Sequence, residues 1–171
     1  MDALTHAVEA YIGRSNVKST EMFAEKATKM IFESLETAYN DGKNVEARET
    51  MLKASYYAGM AFTRAYVGYV HAIAHNFGGM YGTPHGLANA VMMPYVLESY
   101  GKCVHKKLHR LGIAAGVATE EDTPMTGAIK FINAVKELNA RMSIPNKLSG
   151  IQKKDIPALA KHAEKEANPL Y

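Results

Sequence analysis

Three features of this 171-residue sequence predict an all-α fold. Alanine occurs 25 times and methionine 10 times, whereas valine and isoleucine together number only 19, so helix formers dominate and strand formers are thin. Apolar and polar residues do not alternate as a half-buried strand requires. Residues that start and stop helices recur along the whole length instead.

Each element follows from such signals. Asp2 is placed to cap a short helix that ends at Gly13. Ser19 or Thr20 opens a second, with Phe23, Ala27, Met30, Ile31, Leu35 and Ala38 at helical spacing, and Asn40, Asp41 and Gly42 close it. Asn44 starts a third, running through Met51, Ser55, Ala58 and Phe62 with Gly59 as a weak point inside. After Gly68 a run of His, Ala and aromatic residues forms a fourth that stops at Gly78, Gly79 and Gly82. Thr83 and Pro84 read as N-cap and first-turn proline of a fifth, through Asn89, Met92 and Leu97. Three more are expected over 102–115, 123–142 and 155–167, with 143–151 a loop. No repeat or Pro- or Ser-rich linker divides the chain, so residues 1–171 are expected to form one domain.

Composition excludes several classes of function. A net charge of +3, with basic and acidic residues interspersed, is too small for a protein held on nucleic acid by phosphate contacts. A lone cysteine, Cys103, excludes an internal disulfide framework and a Cys-rich zinc module, and fits a reducing, cytoplasmic compartment. No apolar run long enough for a membrane helix and no secretory signal is present in the sequence. Gly-x-Gly-x-x-Gly, the P-loop, His-Glu-x-x-His, Cys-x-x-Cys and Gly-x-Ser-x-Gly are all missing, so the chain has no Gly-rich turn of its own for a nucleotide phosphate.

The histidines carry the chemistry. His105, His109 and His162 stand among lysines and an arginine. The i,i+4 pair His105 and His109 reads as a solvated basic helix face, because Lys106, Lys107 and Arg110 disfavour a dication there. His6, His71, His75 and His85 stand in Ala- and Gly-rich surroundings. Asp2 and His6 share a helix face, and His71 and His75 repeat that spacing. Neutral imidazoles with one carboxylate form a competent site for Fe(II), zinc or a similar ion. Asp2 as a simple cap and the histidines as core residues are the competing readings, and spacing leaves open whether His71, His75 or both are ligands. A carboxylate-bridged di-iron bundle is disfavoured, since His6-x-x-Glu9 reverses the required order and has no second copy.

The segments Asp2-Ala-Leu-Thr-His6, Gly59-Met-Ala-Phe62 and His71-Ala-Ile-Ala-His75-Asn-Phe-Gly-Gly-Met-Tyr-Gly-Thr-Pro-His85-Gly-Leu-Ala-Asn-Ala90 resemble, in order and interval, the C-terminal domain of iron-dependent alcohol dehydrogenases. The resemblance covers nearly the whole chain. It implies a helical bundle of the dehydroquinate synthase-like type. Asp2, His6, His71 and His85 would be the metal ligands, for Fe(II) or zinc. His75 would lie near the nicotinamide of NAD or NADP, and Phe62 would line the pocket of a small alcohol or aldehyde. It also implies that the nucleotide is bound mainly by an N-terminal Rossmann-like domain absent from this chain. The chain would then be one half of a two-domain, homo-oligomeric enzyme and inactive alone. Glu9, one turn beyond His6, is expected either to support the site or to cap a helix. Where the family often has Pro-Leu, this chain has Asn76-Phe77, and the bulk of Phe77 is expected to reshape the pocket. Glycerol dehydrogenase or dehydroquinate synthase chemistry on the same scaffold, or a non-catalytic assembly module, are the alternatives. The Asp2–His6 and Thr83–Ala90 motifs favour the alcohol branch.

Overall fold

A computed structural model of the chain describes residues 1–168. Its elements are α1 (Asp2–Ile12), α2 (Lys18–Asn40), α3 (Val45–Ala65), α4 (Tyr69–Tyr81), α5 (His85–Tyr100), α6 (His105–Ala114), α7 (Pro124–Arg141) and α8 (Ile156–Ala167). Short 3-10 turns precede α6 and α8, and no strand occurs among the described residues. The expected all-α fold is the observed one.

Helix α1 is central. Leu4, Thr5, Ala7, Val8, Glu9, Ala10, Tyr11 and Ile12 are all buried, because α2, α3, α5 and α6 pack around it. The abundant alanine has a structural use here. Ala54, Ala58, Ala61 and Ala65 line one face of α3, and Ala24 and Ala27 line α2, so these helices approach each other closely. Ile31, Met93, Leu97, Leu108, Leu111, Phe131 and Leu138 complete the same core. Gly59 does not interrupt α3, which runs through it unbroken.

Several helix starts differ from expectation. Met1, not Asp2, occupies the cap of α1, so Asp2 is the first helical residue and its side chain is free to face α4 and α5. Helix α2 begins at Lys18, one to two residues early, because the Thr20 hydroxyl folds back to accept from the Val17 N–H at 2.9 Å. Pro84 rather than Thr83 is the cap of α5, which makes His85 its first residue. The expected helix over 102–115 is broken. Gly101, at φ +55°, turns the chain in a left-handed conformation that suits glycine, and a 3-10 turn intervenes before α6. Asn44 and Thr123 cap α3 and α7 as expected, accepting from the N–H groups of Ala47 and Thr126.

The basic face of α6 is only partly solvated. His109 is buried and its Nε2 lies 2.8 Å from the Thr119 carbonyl, while Lys107 donates to the Ile12 and Gly13 carbonyls at the C-terminal end of α1. Spacing within α6 could not show this, because both partners lie on other segments.

Pro94 sits inside α5 and has no N–H to give to the Ala90 carbonyl one turn back. The buried Asn139 amide of α7 donates to that carbonyl instead, at 2.7 Å. Asn139→Ala is therefore expected to cost about 2 kcal/mol. In a Pro94→Ala background, where the backbone N–H returns, the cost should fall to about half of that. Urea denaturation of the four proteins measures this, and equal costs in both backgrounds would overturn it.

Candidate metal centre

Three helices deliver the site. The first turns of α1 carry Asp2 and His6, α4 carries His71 near its start, and α5 begins at His85. One ligand atom from each of Asp2, His6 and His71 falls within 4.8 Å of the others. Asp2 is the hub. Its Oδ2 is 3.5 Å from His6 Nδ1, and its Oδ1 is 3.6 Å from His71 Nε2 and 3.2 Å from His85 Nε2. Burial grades across the group: the His71 side chain is 2% exposed, His6 19%, and His85 44%.

Glu9 fixes the buried member. Fully buried on α1, it accepts from the Val70 N–H at 2.7 Å through Oε1, and its Oε2 lies 2.6 Å from His71 Nδ1. One carboxylate thus both caps the start of α4 and orients the His71 ring. The two roles expected of Glu9 as alternatives coexist, and the helix it caps is not its own. Because Nδ1 is engaged, Nε2 is the nitrogen His71 turns toward Asp2. That Nε2 is buried and has no hydrogen-bond partner among the described residues. A buried imidazole nitrogen left open beside a carboxylate and a second imidazole fits a divalent ion, with Glu9 behind it in the usual carboxylate–histidine–metal order.

His75 lies on the same helix but is tied elsewhere. Its Nδ1 is 2.5 Å from Glu166 Oε1 on α8, and its ring stacks on His85 with centroids 5.2 Å apart. Phe62 stacks on His6 at 4.1 Å, at the edge of the same cluster. Phe77 does not reach the site. It packs with Ala74, Ala88 and Leu159 in a separate small core, because its position on α4 faces α5 and α8, so the pocket reshaping expected of it is not observed.

Two partners escaped the sequence reading. Asn89, buried one turn after His85, donates from Nδ2 to Asp2 Oδ1 at 2.7 Å and approaches His85 Nε2 at 3.0 Å. The His85-x-x-x-Asn89 spacing was the available signal. Glu166 had none, since 91 residues separate it from His75.

The charges at this cluster bias one another. Burial alone would raise the Asp2 carboxyl, but His71, His6, Asn89 and His85 outweigh it and hold the group well below the ordinary carboxylate range. Burial and then the neighbouring His71 push His6 down to about 4. Burial works against a charged His71 too, yet the facing Asp2 and Glu9 carboxylates raise it to about 9. With no ion bound, the facing carboxylates favour a proton on His71, while burial and the neighbouring His71 disfavour one on His6. The raised value means that His71 contributes stability fully below its ordinary 6.5 and loses it as pH climbs to about 9. The stability gap between the metal-free wild type and His71→Gln should therefore narrow between these two pH values. Chemical denaturation in the presence of a chelator reads it, and a constant gap would contradict it.

The sequence pattern described as "Fe-containing alcohol dehydrogenase family, C-terminal" matches residues 1–170. The chain belongs to this family. Among its relatives, alcohol dehydrogenase 4 of Saccharomyces cerevisiae is 43% identical over 171 residues, covering 98% of this chain and 43% of that protein. The 1,3-propanediol dehydrogenase of Citrobacter freundii is 41% identical over 170 residues, covering 98% of this chain and 44% of the relative. The solved alcohol dehydrogenase from Oenococcus oeni superposes with a TM-score of 0.94 at 35% identity, over 98% of this chain and 44% of its own. The chain thus spans less than half the length of these relatives. No helix among the described residues is long and apolar enough to cross a membrane.

Proposed function

We propose that this chain is the metal-binding half of an NAD(P)-dependent alcohol dehydrogenase, with Asp2, His6, His71 and His85 as ligands of Fe(II) or zinc. The observation that carries this reading is the open, buried Nε2 of His71, held by Glu9 and aimed at Asp2 within the three-residue donor cluster. Three imidazoles and a carboxylate suit either ion. When bound, the ion supplies a Lewis acid for an alcohol or carbonyl oxygen and the nicotinamide supplies the hydride acceptor or donor.

The chain's own residues then have distinct tasks. His71 and Glu9 form the rigid floor of the site. Asp2, with Asn89 holding one of its oxygens, supplies the negative charge that attracts a cation. His85, half exposed, stands at the open rim, where a small molecule reaches the cluster. Phe62, stacked on His6, gives the apolar wall for the carbon chain of a small alcohol or aldehyde. The names of the yeast and Citrobacter relatives support that substrate class. His75 lies beside His85 at the place where a nicotinamide ring would approach.

In this reading residues 1–171 are one helical domain of a two-domain, homo-oligomeric cytoplasmic enzyme whose nucleotide is held mainly by a separate Rossmann-like domain. The missing Gly-rich turn and the span of less than half of the relatives support it.

Titration of the 171-residue chain with zinc tests the ligand set. One equivalent is expected, with affinity reduced about 100-fold by His71→Ala. An affinity indifferent to His71→Ala would overturn the reading. The same chain should bind the ion without oxidising NADH in the presence of a short aldehyde.

A further inference from the structure

Helix α8 packs chiefly on α4. Leu159 joins Ala74 and Phe77, while Ala163 and Ala167 close on Ala72 with Tyr69 and Ile73 alongside. These three α8 residues repeat every fourth position, so they form one docking stripe. The Tyr69 hydroxyl, at the first position of α4, donates to Asn168 just beyond the last turn of α8. Glu166 stands at the edge of this stripe, next to Ala167. Its carboxylate reaches His75 Nδ1 at 2.5 Å, and both side chains are nearly half exposed, at 42% and 45%.

Neither residue belongs to the apolar clusters between α4 and α8 or to the Asp2–His6–His71 cluster. Among the described residues, the other groups that face the His75 ring are imidazoles: His85 stacked on it, and His71 with its centroid 5.8 Å away. Glu166 is the anionic partner of this ring. A carboxylate accepts hydrogen bonds and does not donate them, so the proton of a neutral His75 must lie on Nδ1. That leaves Nε2 as the acceptor nitrogen.

We propose that Glu166 is a positioning residue for His75: it fixes the ring and its tautomer so that Nε2 is the nitrogen presented to the reacting molecules. The proposal rests on the reading above, in which His75 faces the nicotinamide. It makes α8 part of the active site, although α8 carries no residue of the metal cluster.

Histidine-15N NMR of the full 171-residue chain tests it, with and without zinc, and with His75→Gln to assign the resonance. Neutral His75 is expected almost entirely as the Nδ1–H tautomer in the wild type. Glu166→Gln keeps the shape of the side chain but can either accept from or donate to the ring. It should therefore leave α8 docked, by circular dichroism, while His75 becomes a mixture of both tautomers. Zinc stoichiometry should stay at one. An Nε2–H tautomer in the wild type, or an unchanged single tautomer in Glu166→Gln, overturns the proposal. Failure to bind zinc would instead sink the metal-site reading, because the tautomer is read equally well in the ion-free chain.

Discussion

Replacing Glu9 with alanine should destabilise the protein by about 3–5 kcal/mol, the range for breaking a buried charged pair by removing one partner. The carboxylate is fully buried and serves the Val70 N–H and the His71 ring together. Alanine leaves both donors without an acceptor in the core, beside a ring whose raised proton affinity depends on that charge. A domain of this size has only about 5–15 kcal/mol in total, so the variant should sit close to unfolding. Tyr100 provides an independent readout. Burial, and then the Glu9 charge, push its hydroxyl well above the ordinary range, and the variant should bring it partway back. Glu9→Gln keeps the volume and one acceptor oxygen, so its loss should be smaller. It should still weaken zinc binding about 10- to 100-fold through the disordered orientation of His71. Denaturant titration and zinc competition measure the two effects. Wild-type stability in Glu9→Ala would show that the α1–α4 junction is held by apolar contacts alone.

The second large effect has the opposite sign from the one helix propensity predicts. Gly127 lies within α7, where a glycine-to-alanine change ordinarily gains about 1 kcal/mol. A Cβ at this position would lie 2.1 Å from His109 Cδ2, 2.6 Å from Cγ and 3.0 Å from Cβ. Because the root of the His109 side chain is involved, rotating the ring away does not clear the clash. The α6–α7 contact must part, and with it the bond from His109 to Thr119. Gly127→Ala is expected to lose about 2–4 kcal/mol. His109→Ala on its own should destabilise, but the double variant should be more stable than Gly127→Ala alone. Simple additivity of the two changes in denaturation experiments would refute the account.

These two positions also show where sequence reasoning ends. Spacing along one helix put Asp2 with His6 and His71 with His75, and those pairs do share faces. Helical period says nothing of which groups on other helices meet a face. Nothing in His6-x-x-Glu9 indicates that the carboxylate crosses to the first turn of α4. In the same way, the lysines around His109 suggested solvent, while the ring turned toward a glycine on the next helix. The Pro94–Asn139 exchange is legible only once α5 and α7 are side by side. The fold class was readable because composition and punctuation act locally. Helix starts shifted where one side chain outcompeted another for a free N–H, as Thr20 did. Phe77 looked like a pocket residue because it neighbours the histidines in sequence, but α4 turns it to a different side.

The gradient of burial across the cluster has a directional consequence. His71 closes the inner side, while His85 and Asp2 are the more exposed members, so the cluster opens on the side of His85 and Asp2. An ion held there would arrive and depart past the same rim that a small alcohol must cross. Occupancy of that rim by a substrate-like molecule should lengthen the residence time of the ion, and a chelator should compete with substrate there. In the proposed dehydrogenase, access to the reacting centre and retention of the ion therefore share the exposed side of the cluster.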